Sequence, residues 1–181
     1  GNKLQCSKIL DLSKLSGIIE YFPEELYIKV KACTPIIEIE KKLNENNQQL
    51  AFETLDFGYI FSGKSNKGTA AGSVSCNFAG SRRFKAGSVR DHVIGFRGVN
   101  GRGEIIKSGG TVVKNVTGYD LSKLITGSFG TLVALTEITF KVLPKKTFNK
   151  TIIFHEILKK NIPQLFNKIL NSSSEISGSM Y

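Results

Sequence analysis

Residues 92–110, HVIGFRGVNGRGEIIKSGG, constrain the fold more than any other stretch of the chain. Apolar and polar residues alternate on both sides of Val99-Asn100-Gly101-Arg102-Gly103. That Asn/Gly-rich centre tolerates the positive φ angles of a tight reversal, so the stretch predicts an antiparallel hairpin. Residues 130–144, GTLVALTEITFKVLP, follow as a strong strand closed by Pro144, since proline cannot donate to a ladder.

The first third has a different rhythm. Residues 8–21, KILDLSKLSGIIEY, read as an extended segment, a turn around Ser16-Gly17 and a short strand, and residues 24–34, EELYIKVKACT, read as a second strand with period-two alternation. Thr34-Pro35 then opens a helix, with Pro35 in the favoured first position and Ile36, Ile37, Ile39, Glu40 and Leu43 as its stripe. Residues 50–58, LAFETLDFG, read as a buried strand. Beyond Pro144, KTFNKTIIFHEI, IPQLFNKILNS and EISGSMY read as strand, helix and the start of a strand, a unit with no partner in this sequence. The whole predicts an α+β fold.

Composition narrows the class. The 181 residues suffice for one sizeable core and part of another. No window holds the roughly eighteen consecutive apolar residues of a membrane span. Cys6, Cys33 and Cys76 form no C-x-x-C pair, and His92 and His155 lie far from them and from each other, so neither a disulfide framework nor a zinc site is expected. The net charge of +10 invites a nucleic-acid reading. Its lysines are scattered, however, with no aromatic-rich recognition strand among them, so no nucleic-acid partner is expected and a diffuse basic surface also suits an anionic ligand.

Two stretches give up periodicity for small and hydroxyl-bearing residues: 63–91, GKSNKGTAAGSVSCNFAGSRRFKAGSVRD, and 114–132, KNVTGYDLSKLITGSFGTL. So many permissive residues before a strong strand imply a backbone that comes close to something. A plainer reading is a small-residue turn before a helix, with Asp120 as the N-cap of LSKLI. No strand–G-x-G-x-x-G–helix unit appears, and the G-x-G of GVNGRGE sits in the hairpin, which disfavours a Rossmann-type reductase.

Together with LDLSKLSGIIEYFPEEL, TPIIEIEKKL, LAFETLDFG and GSRRFKAGSVRDHVIG, the run GGTVVKNVTGYDLSKLITGSFGTLVALTEITFKVLP resembles, in collinear order, the FAD-binding subunits of bacterial glycolate oxidase. More broadly it resembles FAD-linked oxidases with a vanillyl-alcohol-oxidase, or PCMH-type, flavin domain. The resemblance implies a PCMH-type FAD-binding domain over residues 1–146, with one α+β lobe to about residue 55 and a second over about 56–146, the cofactor lying between them. Residues 147–181 would begin a ferredoxin-like cap. It also implies a sequence cut at both ends, with Gly1, Asn2 and Lys3 as the last part of a pyrophosphate loop.

In that family a pyrophosphate is met by backbone amides at close range. The resemblance assigns Thr69, Gly72, Ser73 and Asn77 to this task, with Gly80 keeping the path clear. Gly118, Tyr119 and Asp120 would lie near the flavin, followed by the turn of Gly127, Ser128, Gly130 and Thr131, and the backbone around Leu135 would hold the adenosine end. Lys114 and Asn115 would face the phosphates or the ring. Ala71 stands where the family usually has glycine, and a left-handed Ala71 would cost about 1 kcal/mol. Arg82 and Arg83 are candidates for binding a carboxylate or phosphate.

No catalytic residue is assigned. His92 falls at a strand entrance and His155 on the exposed side of a cap strand. The resemblance implies oxidation of a small 2-hydroxy acid, glycolate to glyoxylate, in a complex with a homologous flavoprotein subunit and an iron–sulfur subunit. The expected location is cytoplasmic, or peripheral at the inner face of the cytoplasmic membrane through that complex. The competing expectation is a non-catalytic interaction subunit, or an inert fragment, that keeps the fold without retaining FAD.

Overall fold

The computed structural model describes residues 8–65, 67–110 and 118–181. In chain order the elements are β1 (Ile18–Phe22), β2 (Tyr27–Lys31), α1 (Ile36–Asn44), β3 (Gln48–Gln49), α2 (Gly58–Ser62), α3 (Ala70–Cys76), α4 (Arg83–Ala86), β4 (Val93–Asn100), β5 (Ile105–Gly109), α5 (Leu121–Ile125), β6 (Val133–Lys141), β7 (Leu143–Pro144) and α6 (Ile162–Leu170). The hairpin forms as its turn chemistry requires, with Gly95 opposite Gly109 and Val99 opposite Ile105.

Five strands make one antiparallel sheet in the order β1-β2-β6-β4-β5. The first-third hairpin β1–β2 therefore joins the β4–β5 hairpin through β6, where Tyr27 faces Lys141 and Lys31 faces Glu137. The two stretches expected as separate lobes share this sheet and one core. That core packs Ile28, Val30, Ile138 and Phe140 of the sheet against Ile36, Ile39 and Leu43 of α1 and Ala70 and Val74 of α3. The sheet also carries a row of alternating charge across β1, β2, β6 and β4: Glu20 opposes Lys29, and Lys29 and Arg97 reach Glu137 at 3.0 and 3.5 Å; at β5 the alternation stops, with Arg97 opposite Lys107. Cross-strand opposite charges favour this register. At Gly98 any Cβ would overlap Val133, so a glycine lets β4 approach β6.

Three expectations change. Residues 50–58 form no strand beyond the short β3–β7 pair of Gln48–Gln49 with Leu143–Pro144; Leu50, Ala51 and Phe52 are buried instead as irregular chain packed on the core. Residues 151–157, and 175–181 at the end, form no strand. Ile37 faces out, and only Ile36, Ile39 and Leu43 of the α1 stripe are buried.

Candidate functional site

Helix α3 is the organising element, and both of its ends are tied. At the start, Ala70 N–H donates to Thr34 O at 2.9 Å and Ala71 N–H to Ala32 O at 2.8 Å, anchoring the helix to the end of β2. Thr69 is the N-cap, accepting from Gly72 N–H at 3.3 Å. At the far end Asn77 takes the left-handed C-cap conformation at φ 50°, and its Oδ1 accepts from Arg90 N–H at 3.0 Å. The 127–131 turn docks here, with Gly127 N–H donating to Val74 O and Phe129 N–H to Ser75 O, both at 2.9 Å. Within the turn, Ser128 O accepts from the N–H and the hydroxyl of Thr131 at 3.0 and 2.6 Å.

Thus Thr69, Gly72, Ser73, Asn77, Gly127, Ser128, Gly130 and Thr131 lie along or at the end of one helix. The main-chain N–H groups of residues 70–73 are all engaged within the fold. What α3 presents to a ligand is its side-chain face. Ala71 is not among the left-handed residues and carries no strain of that kind. Gly1, Asn2, Lys3, Lys114 and Asn115 lie outside the described residues.

The side chain of Leu135 is buried in the core, while its backbone pairs with Gly98 of β4. The β2 ladder ends at Lys31 opposite Glu137, leaving residues 133–135 paired to β4 alone among the described elements. Gly118 has φ +80° with open space around it, and Tyr119 is 92% exposed. Asp120 caps α5, accepting from Lys123 N–H at 3.2 Å. Arg90 and Lys123 then bond reciprocally, Arg90 Nε to Lys123 O at 3.2 Å and Lys123 Nζ to Arg90 O. Partial burial holds the Lys123 amine below its ordinary pKa, against the raising influence of Asp120 and Asp91.

A cavity of about 380 Å³ lies along α3, lined by Thr69, Gly72, Ser73 and Cys76 and by Phe57, Phe61 and Phe78. The phenylalanines touch one another: Phe57 meets Phe78 edge-on at 5.3 Å and Phe61 at 6.4 Å between centroids. Lys67 reaches the same cavity while paired with Glu40 at 2.8 Å. No side chain on the α3 face exceeds threonine or cysteine in size, and the three aromatic rings stand with Leu55, Val89, Thr54, Glu53 and Lys67 in the rest of the lining. This suits a flat, partly apolar ring better than it suits a bare phosphate.

Two residues have a role that the sequence did not show. A Cβ at Gly80 would overlap the carboxylate of Glu53, so this glycine makes room for Glu53 rather than for a ligand path. Glu53 accepts from Arg82 N–H at 2.8 Å and Ser81 Oγ at 3.3 Å, fixing the start of α4. Only its charge amid an apolar run could have flagged it. Arg82 borders a second, polar cavity of about 450 Å³ that also holds Glu40, Glu53, Asp56 and Lys145. Its Nε is enclosed with no partner among the described residues. Arg83 is exposed and does not share that cavity. Lys67 lines the same cavity, so three carboxylates face three cations there and Arg82 stands in a site with no surplus positive charge.

His92 is 2% exposed, donates from Nε2 to Ala86 O at 2.7 Å and stacks near Phe52 at 5.4 Å. Burial, with Lys141 and Lys123 nearby, holds its imidazole below the ordinary pKa and therefore neutral. His155 is exposed on the segment before α6. Neither histidine borders the α3 cavity.

A mixed antiparallel α+β fold thus carries, along a small-residue helix, a cavity of a size to take a flat ring. A family model described as an FAD binding domain matches residues 5–109, and the chain belongs to that family; its cofactor is FAD. The chain is 44% identical over 136 residues to the glycolate oxidase subunit GlcE of Escherichia coli strain K12, covering 75% of this chain and 37% of that protein. It is 33% identical over 162 residues to a D-lactate dehydrogenase of Anaerostipes hadrus, covering 87% and 32%. The chain thus spans about a third of the length of these relatives. A solved alkyldihydroxyacetonephosphate synthase shares the fold at TM-score 0.57 and 23% identity, over 73% of this chain and 22% of that one. No helix among the described residues is long and apolar enough to cross a membrane.

Proposed function

We propose that this chain is the FAD-binding part of an oxidoreductase acting on small 2-hydroxy acids, working as one subunit of a glycolate oxidase-type complex. The observation that carries the reading is the α3 face, tied at both ends and bordering the ring-sized cavity. Thr69 and Ser73 would offer hydroxyls to the cofactor, Gly72 room for it, and the 127–131 turn a rigid end-stop. The residues around Gly118 and the open part of β6 would hold its further reaches, together with residues 1–3 and 114–115. When bound, FAD accepts the hydride equivalent leaving the hydroxyl-bearing carbon.

The names of the two relatives, a subunit of glycolate oxidase and a D-lactate dehydrogenase, support the 2-hydroxy-acid class. Proton abstraction from the hydroxyl requires a base within hydrogen-bond reach. His92 is buried and bonded elsewhere, and His155 lies off the cavity, so neither histidine serves as that base; the resemblance to glycolate oxidase subunits would assign the hydroxy-acid chemistry mainly to a homologous partner flavoprotein, with an iron–sulfur subunit taking the electrons onward. Residues 147–181 would begin a cap over that site. A second reading, a chain that keeps the fold without retaining FAD, is favoured by one observation: the amides of residues 70–73 are occupied internally.

Flavin absorbance after purification, followed by FAD titration, separates the two. Retained flavin that is lost on Gly72→Val supports the first reading, because the valine side chain enters the cavity. A colourless chain that takes up no added FAD supports the second. A dye-linked assay with glycolate and D-lactate, on the chain alone and mixed with a partner flavoprotein subunit, then tests the complex. Turnover by the chain alone, above free flavin, would place the chemistry here instead.

A further inference from the structure

The five-residue helix α2 carries more exposed apolar surface than its size explains. Tyr59, Ile60 and Phe61 are all exposed, Phe61 at 80%, and Phe78 at the end of α3 is 45% exposed. Exposed aromatic clusters mark interaction sites more often than single exposed apolar residues do. Here the cluster borders a cavity whose opposite wall is the small-residue face of α3, with Glu53, Thr54, Leu55, Lys67 and Val89 in the rest of the lining. The segment is also fixed in place: Asp56 accepts from Gly58 N–H at 3.0 Å and from the Ser65 hydroxyl at 2.5 Å. The C-cap Gly63 closes the helix at φ 68°.

We infer that Phe57, Phe61 and Phe78 form the seat of the isoalloxazine ring of FAD, which lies against the α3 face at Gly72, Ser73 and Cys76; the inference rests on the FAD-binding reading above. The chemistry favours this ring over the adenine at the other end of the cofactor. Phenylalanine offers no donor or acceptor, so a ring that is polar on every edge would leave groups unpaired against it. Isoalloxazine has a dimethylbenzenoid end that loses nothing there, and a polar end that the hydroxyls of Thr54, Thr69 and Ser73 can meet. Offset or edge-on contact with the phenylalanines adds the quadrupolar attraction of aromatic pairs. Covering Phe61 and Phe78 also removes from water the surface that the free protein exposes.

The test uses the 181-residue chain titrated separately with FAD, riboflavin and ADP, read by fluorescence anisotropy or calorimetry and by induced visible circular dichroism. Phe61→Ala is the main variant, because its side chain is outside the core. Phe61→Leu keeps the bulk without the ring, and far-ultraviolet circular dichroism checks the fold. Phe61→Ala should weaken FAD and riboflavin by the same factor, about tenfold for one aromatic stack, reduce the induced visible signal and leave ADP unchanged. Phe61→Leu should recover only part of the loss. Equal weakening of ADP, or unchanged flavin affinity in a folded Phe61→Ala, would overturn the seat while leaving the FAD reading intact. A wild-type chain that binds neither FAD nor riboflavin would overturn both.

Discussion

Residues 136–142, TEITFKV, and residues 151–157, TIIFHEI, carry nearly the same β-forming side chains, yet the first lies in the central strand of the sheet and the second in none. The first has β2 on one edge and β4 on the other, so Ile138, Phe140 and Val142 are fully buried. The second pairs with no strand among the described residues, Ile152, Ile153 and Phe154 are exposed, and no residue from 143 to 181 is buried. Their β-forming content is similar; their partners are not. A strand exists where its main-chain groups and one face both find company, and β propensity measures readiness for that context rather than the outcome.

The sharpest way to break this comparison is to truncate one apolar side chain from each stretch. Phe140→Ala should cost about 3–5 kcal/mol, the usual price of a large core cavity, because Phe140 packs on Phe52 at 5.7 Å and lies in the central cluster. Ile153→Ala should stay within about 0.5 kcal/mol. Urea denaturation followed by circular dichroism measures both, and comparable losses would show that residues 151–157 are packed. Hydrogen exchange sharpens the point without a mutation: amides of β6 should exchange near the global unfolding limit, those of 151–157 orders of magnitude faster.

Of next size is Gly80→Ala. The added methyl would displace the Glu53 carboxylate from Arg82 N–H and Ser81 Oγ, with an expected loss of about 1 kcal/mol for these part-buried hydrogen bonds. Glu53→Ala should cost a similar amount, and the double variant little more than either single one, since both act on the same contact. Full additivity in thermal melts would show that Gly80 serves something other than Glu53.

What could be read in the sequence follows the same divide. The β4–β5 hairpin was legible because its turn residues and alternation are local, and the α1 start because Pro35 and the stripe are local. The Asp120 cap was legible too, its acceptor lying three residues from its donor. Residues 50–58 were misread because Leu50, Ala51 and Phe52 are apolar enough for a strand, and their burial comes instead as irregular chain packed on the core. In the site, the small residues of 69–80 and 127–131 signalled close approach, and α3 does gather them. That the amides of 70–73 face Ala32, Thr34 and Thr69 was not legible, because those acceptors belong to the end of β2 and to the cap. The same holds for Glu53 beneath Gly80, a contact across twenty-seven residues that no spacing rule announces.

The two histidines give the smallest and most specific test, one in each half of the comparison. His92 sits in the core half with Nε2 on Ala86 O and Nδ1 without a partner among the described residues. Its imidazole is held below the ordinary value of 6.5, first by burial and then by the charges of Lys141 and Lys123, against the opposing influence of the Ala86 hydrogen bond and of Asp91. The unfolded chain therefore binds this proton more readily than the folded one. Stability is full above about pH 6.5 and falls as pH drops through that value toward the lowered one, with a slope of at most about 1.4 kcal/mol per pH unit. Asp91, also held low, acts in a separate window, contributing above its ordinary 3.8 and losing that contribution only as pH falls below it. Denaturation between pH 5 and 8 thus isolates His92. His92→Gln, which can still donate to Ala86 O but cannot titrate, should flatten the profile over that range. His155→Gln, on the exposed segment, should leave it as it is. A flattened profile in the His155 variant, or an unchanged one in the His92 variant, would reverse the assignment of which half of the chain carries the buried ring.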